Sequence, residues 1–224
     1  MVVAETFTSI QGEGMLAGVP SFFIRTSGCN LRCAWCDTPY TSWRPEGSRR
    51  SVGELTAAAA GSGCRHVVIT GGEPLLQREL SALAAALASA GHHITVETAG
   101  TLAPDFSCDL LSVSPKTSNS DPEGRFRARH RALRAVLGPL TSLLARHPEH
   151  QLKFVVRGED DLGEVLALVE RAGVESGRVL LMPEGRTSGE VAARAGAVAR
   201  LCIAHGFRYS PRLHLDLFGG GRGV

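Results

Sequence analysis

Lysine, aromatic residues and long apolar runs are all scarce in this chain. Of its 24 basic residues only Lys116 and Lys153 are lysine, a bias typical of GC-rich coding sequence rather than of a function. No apolar run approaches the roughly 20 residues that cross a bilayer, and the first residues lack the basic start and apolar core of a signal peptide. These absences predict a cytoplasmic protein without membrane contact, and in that compartment thiols stay reduced and free to bind metal.

A large excess of charge is missing as well. The formal net charge is +2, which gives no argument for binding nucleic acid. An arginine-rich run at 125–134 spreads around a helix pattern and predicts a solvated surface, with phosphate binding as the alternative. The length of 224 residues predicts one domain with a full core, and a short N-terminal segment of that domain carries candidate ligand-binding residues.

The most informative feature is a C-x₃-C-x₂-C run formed by Cys29, Cys33 and Cys36. A closed [4Fe–4S] site needs four thiolates, so three leave one iron open, and an open position is typical of catalytic metal sites. This spacing is the signature of radical S-adenosylmethionine (SAM) enzymes. A zinc site would need a fourth ligand nearby, but the next histidine is His66. The other cysteines fit no metal spacing and are predicted to be buried apolar thiols: Cys64, Cys108 and Cys202.

Short apolar runs alternate with helical patterns along the chain. The predicted strands are 21–25, 66–70, 94–97, 110–113, 152–156, 178–181 and a last one at 213–215; the predicted helices are 75–90, 129–146 with a break near 138, 162–171 and 188–205. Such alternation predicts βα units and a parallel sheet. About six units fall short of the eight of a closed barrel, so the expected fold is α/β, a partial, open parallel β/α barrel.

Polar motifs follow four of the predicted strands. They are the cysteine run, Gly71-Gly72-Glu73, Glu97-Thr98 and Ser114-Pro115-Lys116. Ligands of parallel α/β folds gather at the carboxyl ends of strands, so we expect one shared site. Two glycines allow close backbone approach to a ligand, and Glu73 offers a carboxylate for an ammonium, although a purely structural turn is the alternative.

The N-terminal run Gln11-Gly12-Glu13-Gly14 offers an amide and a carboxylate. That pair suits a pyrimidinone with an exocyclic amine, and a polar hairpin is the alternative. Together with Trp35-Cys36-Asp37-Thr38, Thr70–Pro74, Val96–Gly100 and Val113–Lys116, the run resembles the motifs of 7-carboxy-7-deazaguanine synthases. The resemblance covers residues 5–116 and continues more weakly to the end of the chain.

The resemblance implies a reaction and its cofactors. A [4Fe–4S] cluster and SAM would generate a radical that removes hydrogen from 6-carboxy-5,6,7,8-tetrahydropterin. The ring would contract to 7-carboxy-7-deazaguanine with loss of ammonia, and Mg²⁺ would also be required. The implied partners are this small pterin, an electron donor such as flavodoxin or ferredoxin, and a second copy of the chain in a homodimer.

The resemblance also assigns residues. Cys29, Cys33 and Cys36 would hold the cluster and Thr38 would bind Mg²⁺, unless Thr38 is a cap or turn residue. On the SAM side it implies Trp35, Cys36, Asp37, Gly72, Glu73, Glu97, Ser114, Pro115 and Lys116. Around the substrate it implies Ile10, Gln11, Gly12, Glu13, Arg25, Thr70 and His214. Arg25 would pair with the substrate carboxylate through its planar fork, and a structural role is the alternative for His214. No side chain is implied as a catalytic acid, base or nucleophile.

Two other classes fit part of the sequence. A glycyl-radical activating enzyme shares the cysteine spacing and the small size, but acts on a protein backbone. A non-catalytic Fe–S or zinc protein would give no reason for the Gly-Gly-Glu-Pro and Ser-Pro-Lys motifs at neighbouring strand ends.

Overall fold

The computed structural model describes residues 1–223, and in them nine strands form one sheet. The strands are Val2–Ile10 (β1), Pro20–Thr26 (β2), Ser48–Arg49 (β3), His66–Gly71 (β4), His93–Thr98 (β5), Leu110–Val113 (β6), His150–Val156 (β7), Val179–Pro183 (β8) and Arg208–Tyr209 (β9). Their order in space is β3-β1-β2-β4-β5-β6-β7-β8-β9. β1 runs antiparallel to both neighbours, and every pairing from β2 to β9 is parallel. No pairing among the described residues joins β3 to β9, so the sheet is open, as predicted.

Helices connect most of the parallel strands. They are Pro39–Ser42 (α1), Val52–Gly61 (α2), Leu80–Ser89 (α3), Arg127–Arg134 (α4), Gly138–Arg146 (α5), Leu162–Ala172 (α6), Ser188–His205 (α7) and Leu213–Phe218 (α8). Local sequence sets several of their ends. Ser51 and Glu54 form a capping box at the start of α2, and Gly206 ends α7 with a φ of +66°, a conformation that favours glycine.

The core lies between the sheet and these helices. Ile69, Val96 and Phe154 from the central strands are fully buried, as are Leu83 of α3 and Val198 of α7. Strands covered on both faces need continuous apolar runs rather than alternation. The α/β architecture predicted from those runs is therefore confirmed.

Residues 2–10 form a strand that the sequence did not predict. β1 pairs antiparallel with β2 from Ile10–Pro20 to Val3–Thr26, so the first two strands make a hairpin whose long loop contains Gln11 to Gly18. The polar hairpin considered as an alternative is thus present. It also carries five of the seven predicted substrate residues, namely Ile10, Gln11, Gly12, Glu13 and Arg25.

Two predicted elements differ in the structure. The helix predicted from residue 75 begins only at Leu80, after a 3₁₀ turn at Pro74–Leu76. Gln77 is held extended between them because its side chain accepts from Val2 N and donates to Ser27 O, both over 3.0 Å. The strand predicted at 213–215 is wrong, since those residues begin α8; three alternating residues are too few to separate the two periodicities.

The arginine-rich run is only partly a solvated surface. Arg127, Arg129 and Arg131 are exposed, but the side chain of Arg134 is only 10% exposed and pairs with Asp121 and Glu164 at 2.6 Å each. Of the cysteines outside the motif, Cys202 is buried, while Cys64 and Cys108 are half-buried beside the core. Among the described residues, no helix combines the length and the apolar character that a bilayer crossing requires.

Candidate active site

A cavity of about 530 Å³ lies against the sheet and collects almost all the predicted site residues. Strand positions two apart line it, such as Phe23 and Arg25 in β2 and Lys153 and Val155 in β7, because alternate side chains share one face. The predicted residues on its wall are Ile10, Gln11, Gly12, Glu13, Arg25, Cys29, Cys33, Trp35, Cys36, Asp37, Thr38, Thr70, Gly72, Glu97, Ser114, Lys116 and His214. Glu73 and Pro115 are not on it.

The three motif thiols occupy one wall of the cavity. Leu31 N donates to Cys29 Sγ over 3.4 Å, and Cys36 Sγ lies 3.2 Å from Ser42 Oγ. No three His, Cys, Asp or Glu side chains between residues 1 and 223 are grouped closely enough for a single metal ion. A [4Fe–4S] cluster takes one thiolate at each of several irons, so its ligands do not have to converge on a single metal ion. Three soft thiolate donors that line the cavity therefore fit a [4Fe–4S] cluster whose open iron faces the cavity.

Two of the three metal-free thiols, those of Cys29 and Cys33, are held in their protonated form. Burial, helped by the negative charge of Glu73, raises the pKa of Cys29 to about 12. Burial also raises the pKa of Cys33 to about 11, although Lys116 opposes the change. Because metal ligands are thiolates, iron binding must release protons here.

The glycines after β4 bring backbone close to the cysteine loop. Gly71 has a φ of +127°, in the range that favours glycine. A Cβ on Gly72 would lie 2.7 Å from the carbonyl oxygen of Thr41 and would collide with that of Gly28. Gly72 therefore forms a tight contact beside the thiols. Beside the cysteine loop, Lys116 donates to Ser114 Oγ over 2.7 Å and lies 5.2 Å from the centre of the Trp35 ring.

Glu73 does not face the cavity, in contrast to the predicted contact with SAM. Its side chain is fully buried and accepts hydrogen bonds from Thr98 Oγ1 at 2.6 Å, Ala99 N at 2.9 Å and Leu75 N at 3.1 Å. Burial raises the pKa of Glu73, while these three donors act in the opposite direction. The carboxyl group thus joins the ends of β4 and β5 beneath the site. Pro115 is buried beside a second, smaller cavity.

Thr38 precedes α1 at the position of a helix cap, but its side chain caps no backbone N–H. Its Oγ1 lies 3.1 Å from Thr41 Oγ1 and it is on the cavity wall. The hydroxyl oxygen is therefore available as a hard ligand at the border between the cysteine loop and the rest of the cavity.

A chain of hydrogen bonds runs through the predicted substrate residues. Gln11 Nε2 donates to Glu97 Oε1 over 3.0 Å, and Thr70 Oγ1 donates to Glu97 Oε2 over 2.8 Å. Glu13 N donates to Gln11 Oε1 over 3.1 Å. Glu97, which the resemblance placed on the SAM side, is therefore hydrogen-bonded to two of the predicted substrate residues.

Glu13 is paired with two cations that the sequence did not single out. Lys153 Nζ contacts its Oε2 at very short range, and Arg212 Nε lies 3.3 Å from its Oε1. Burial alone would raise the pKa of Glu13, but Lys153 and Arg212 hold that pKa well below its usual range. Glu13 is therefore an ionised acceptor.

Arg25 is oriented by Glu5, which the sequence also did not single out. Arg25 Nε lies 2.7 Å from Glu5 Oε1, and the Tyr40 hydroxyl donates to the same oxygen over 2.6 Å. Glu5 is the only hydrogen-bonding partner of this guanidinium among the described residues, and the guanidinium carbon also lies 5.2 Å from the centre of the Phe7 ring, so the terminal nitrogens are left for a ligand. Arg222, near the end of the chain, also contacts Glu5, at 3.5 Å.

His214 lies against the N-terminal loop. A Cβ on Gly12 would collide with His214 Nδ1, and Leu213 N donates to Gly12 O over 3.0 Å. Burial lowers the pKa of His214, so its imidazole is neutral near pH 7. The start of α8 and the N-terminal loop thus form one wall of the cavity.

Among the site residues that the sequence analysis did not single out, Lys153 has a recognisable signal in the sequence. Lys153, one of only two lysines, interrupts the buried apolar run Leu152–Val156, and a charge in such a strand is rare unless it is paired. Nothing local marks Glu5, Tyr40 or Arg212, because their partners are distant in sequence. Glu5 is 20 residues from Arg25 and 35 from Tyr40, and Arg212 is 199 residues from Glu13.

An open parallel β/α sheet with three thiols on a cavity at its strand ends defines a radical SAM enzyme. The family model described as the radical SAM superfamily matches residues 23–137, which include the whole cysteine loop.

Similarity to known proteins identifies the family within this class. The chain is 42% identical to the 7-carboxy-7-deazaguanine synthase of Rhodopirellula baltica, over 100% of this chain and 89% of that protein. It is 45% identical to the protein of the same name from Halobacterium salinarum, over 96% and 90% of the two chains. The crystal structure of QueE from Escherichia coli superposes with a TM-score of 0.68 at 28% identity and covers 93% of this chain and 92% of that one. The chain therefore belongs to the 7-carboxy-7-deazaguanine synthase family, which confirms the resemblance found in its motifs.

Proposed function

We propose that this chain converts 6-carboxy-5,6,7,8-tetrahydropterin into 7-carboxy-7-deazaguanine and ammonia, in 7-deazapurine biosynthesis. The observation that carries the proposal is the single cavity that is lined both by the three thiols and by Gln11, Glu13 and Arg25. Both sets of residues are needed for the assignment, because the three thiols alone are common to many radical SAM enzymes. The names of the full-length relatives support the same reaction.

The substrate end matches the polar edges of a carboxylated pterin. Glu13 and Glu97 are acceptors for the N–H groups of an aminopyrimidinone, and Thr70 and Gln11 orient Glu97. Arg25 faces the other end with a guanidinium that is fixed through Nε, which leaves its terminal nitrogens for a bidentate pair with a carboxylate.

Cys29, Cys33 and Cys36 would hold a [4Fe–4S] cluster, with Gly72, Trp35, Ser114 and Lys116 around SAM. When bound, these groups supply a SAM-derived radical that abstracts a hydrogen atom. The chain places the pterin between that radical source and Arg25 and limits the access of water. No side chain of the cavity is assigned as an acid or base.

Mg²⁺ bound by Thr38 is part of the proposal, since this residue lies on the cavity wall two positions after Cys36 and its side chain caps no helix N–H. The substrate carboxylate would be a second ligand, and Mg²⁺ commonly takes few protein ligands. We further propose one domain over 1–224, a homodimer in the cytoplasm, and a flavodoxin or ferredoxin as electron donor.

The test is turnover by the anaerobically reconstituted protein with SAM, a reductant and the pterin. We expect 7-carboxy-7-deazaguanine by mass spectrometry, with SAM unconsumed overall. Formation of deoxyadenosine only when a protein substrate is added would instead identify a glycyl-radical activating enzyme. Absence of any SAM cleavage by iron-loaded protein would contradict a radical SAM activity.

A further inference from the structure

We infer that Lys153 and Arg212 are positioning residues, which hold the Glu13 carboxylate as a fixed acceptor for the aminopyrimidinone edge of the substrate. The inference rests on the proposed function, because that edge belongs to the pterin. It adds two residues, from β7 and from the segment before α8, to the predicted substrate residues.

The geometry places Glu13 between the two cations. Lys153 contacts one carboxylate oxygen and Arg212 the other, at 3.3 Å. The side chains of Lys153 and Arg212 are only 6% and 4% exposed. Arg212 is fixed further by a short hydrogen bond from Nη1 to Gly185 O. Two cations on opposite oxygens leave the carboxylate little freedom to rotate.

The carboxylate keeps acceptor capacity for a ligand. An ionised carboxylate has about four lone-pair positions, and the cations occupy one on each oxygen. An aminopyrimidinone presents neighbouring N–H donors, which need an acceptor that carries no proton of its own. A protonated Glu13 would place a donor against these N–H groups, so its ionised form is the one that binds.

Stability alone does not explain the two buried cations. Removing charges from water is costly, and a buried ion pair is often no more stabilising than apolar residues of the same volume. Lys153 interrupts a strand whose neighbours Leu152 and Phe154 are fully buried. A lysine at this position, with its ammonium on the cavity wall, points to a role in the site.

Arg212 also connects the two halves of the cavity. Its Nη2 lies 2.7 Å from Asp37 Oδ2, and Asp37 directly follows Cys36. One guanidinium therefore contacts both the cysteine loop and the loop that carries Glu13. Its planar fork can span two carboxylates, which the point charge of a lysine cannot do.

The charges around Glu13 favour its ionised form. Lys153 faces it from β7 and Arg212 from the residue before α8, with the neutral imidazole of His214 beside them; Glu97 on β5 lies near Lys153 and Asp37 near Arg212. Loss of either cation would let Glu13 take up a proton at a higher pH. The pH at which pterin binding is lost on acidification should then rise.

The first experiment measures the affinities of the holoenzyme, loaded with cluster, for the pterin and for SAM separately. Lys153→Met should raise the Kd for 6-carboxytetrahydropterin about tenfold or more, as expected when a hydrogen-bonded charge is lost. The Kd for SAM should not change. Arg134→Met is the matched control, because it removes a buried, paired cation outside the main cavity. It should leave both affinities unchanged.

The second experiment is a double-mutant cycle on pterin binding across pH. In a Glu13→Gln background, Lys153→Met should weaken pterin binding much less than in the unmodified protein, because the ammonium acts through Glu13. In the Lys153→Met protein the acid limb of pterin binding should lie at higher pH. Arg212→Lys, which retains the charge, should lose affinity as well, since it cannot span Glu13 and Asp37.

Each outcome decides between the two proposals. If the unmodified holoenzyme does not bind the pterin, the proposed function fails and the inference fails with it. If the pterin binds and Lys153→Met leaves its Kd and its pH profile unchanged, the inference alone is overturned. Equal losses from Lys153→Met with and without Glu13→Gln would also overturn it, because the lysine would then act independently of Glu13. Should Arg212→Lys fail to fold, the Lys153→Met results decide.

Discussion

At the scale of the residue, ligand binding depends on which donors already have protein partners. Arg25 uses Nε for Glu5, and Glu5 is held in turn by the Tyr40 hydroxyl. The guanidinium is therefore oriented before the substrate arrives. A carboxylate that loses water in this cavity needs such a partner, because an unpaired buried charge is costly.

Arg25→Lys should weaken pterin binding although the charge is conserved. A lysine cannot pair with Glu5 and bind a substrate carboxylate with two parallel bonds. Loss of a charge-assisted pair in such a site costs roughly 2–5 kcal/mol, or about thirtyfold or more in affinity. The measurement is the Kd of the pterin and of SAM for the reconstituted protein. Arg157→Lys, at an exposed arginine that pairs with the buried Asp161, is the control, and equal losses for both ligands would remove Arg25 from the substrate site.

Thr38→Ala tests the proposed Mg²⁺ ligand at the same scale. Since the Thr38 side chain caps no N–H of α1, its loss should leave the fold, the cluster and SAM cleavage intact. The stimulation of turnover by added Mg²⁺ should weaken or vanish. The assay is turnover against Mg²⁺ concentration. A wild-type Mg²⁺ dependence in this variant would show that the hydroxyl is not a ligand.

At the scale of the element, Glu73 joins the turn after β4 to the end of β5. Its two oxygens accept from Thr98, Ala99 and Leu75. The Gly-Gly-Glu motif thus has two separate roles: the glycines permit close packing against the cysteine loop, and the glutamate fixes neighbouring strand ends. The strand ends on which the site is built are therefore connected by a buried carboxylate.

Glu73→Gln should therefore lower stability. The amide would place N–H groups where the carboxylate now accepts from three donors, so at least one buried donor would lose its partner, at a cost of about 1–3 kcal/mol. Denaturant unfolding of the metal-free chain measures the loss in the free energy of unfolding. Glu123→Gln, on an exposed residue, is the control. A normal unfolding free energy combined with a selective loss of SAM affinity would restore the predicted SAM contact.

At the scale of the whole molecule, the cavity joins one short loop to residues from almost the entire chain. The three thiols come from eight consecutive residues, while Glu13 is 140 residues from Lys153 and 199 from Arg212. Cluster binding should therefore depend mainly on the loop. Substrate binding should depend on the folded arrangement that brings Glu13, near the start of the chain, to Arg212, near its end.

Anaerobic reconstitution should give about four irons per chain. Cys33→Ala should abolish iron binding and turnover, and Cys64→Ala should retain both, because Cys64 lies off the cavity wall. Burial raises the pKa of Cys29 and Cys33 to about 12 and about 11, so cluster assembly must release their protons. Iron uptake should accordingly improve from about pH 7 to about pH 9. Stoichiometric zinc without iron uptake would contradict the cluster.

The sequence by itself determined the features that depend on near neighbours. The cysteine spacing, the Gly71-Gly72 turn, the apolar runs of β4 to β8 and the capping box of α2 are all local patterns. Because parallel strands bring their carboxyl ends to one edge, the order of motifs along the chain also predicted that they would share a site. Most residues of those motifs do line the cavity, and Glu73 and Pro115 do not.

Only the tertiary structure decided which polar groups became partners. Glu73 and Glu97 are both carboxylates near strand ends, yet Glu73 is buried beneath the site and Glu97 lies on the cavity wall. Pairs such as Glu13 with Lys153 join residues that have no relation in sequence. Whether a charge becomes a ligand, a support or an ion-pair partner depends on its distance from other charges and from water. Packing sets those distances, and a local pattern does not contain them.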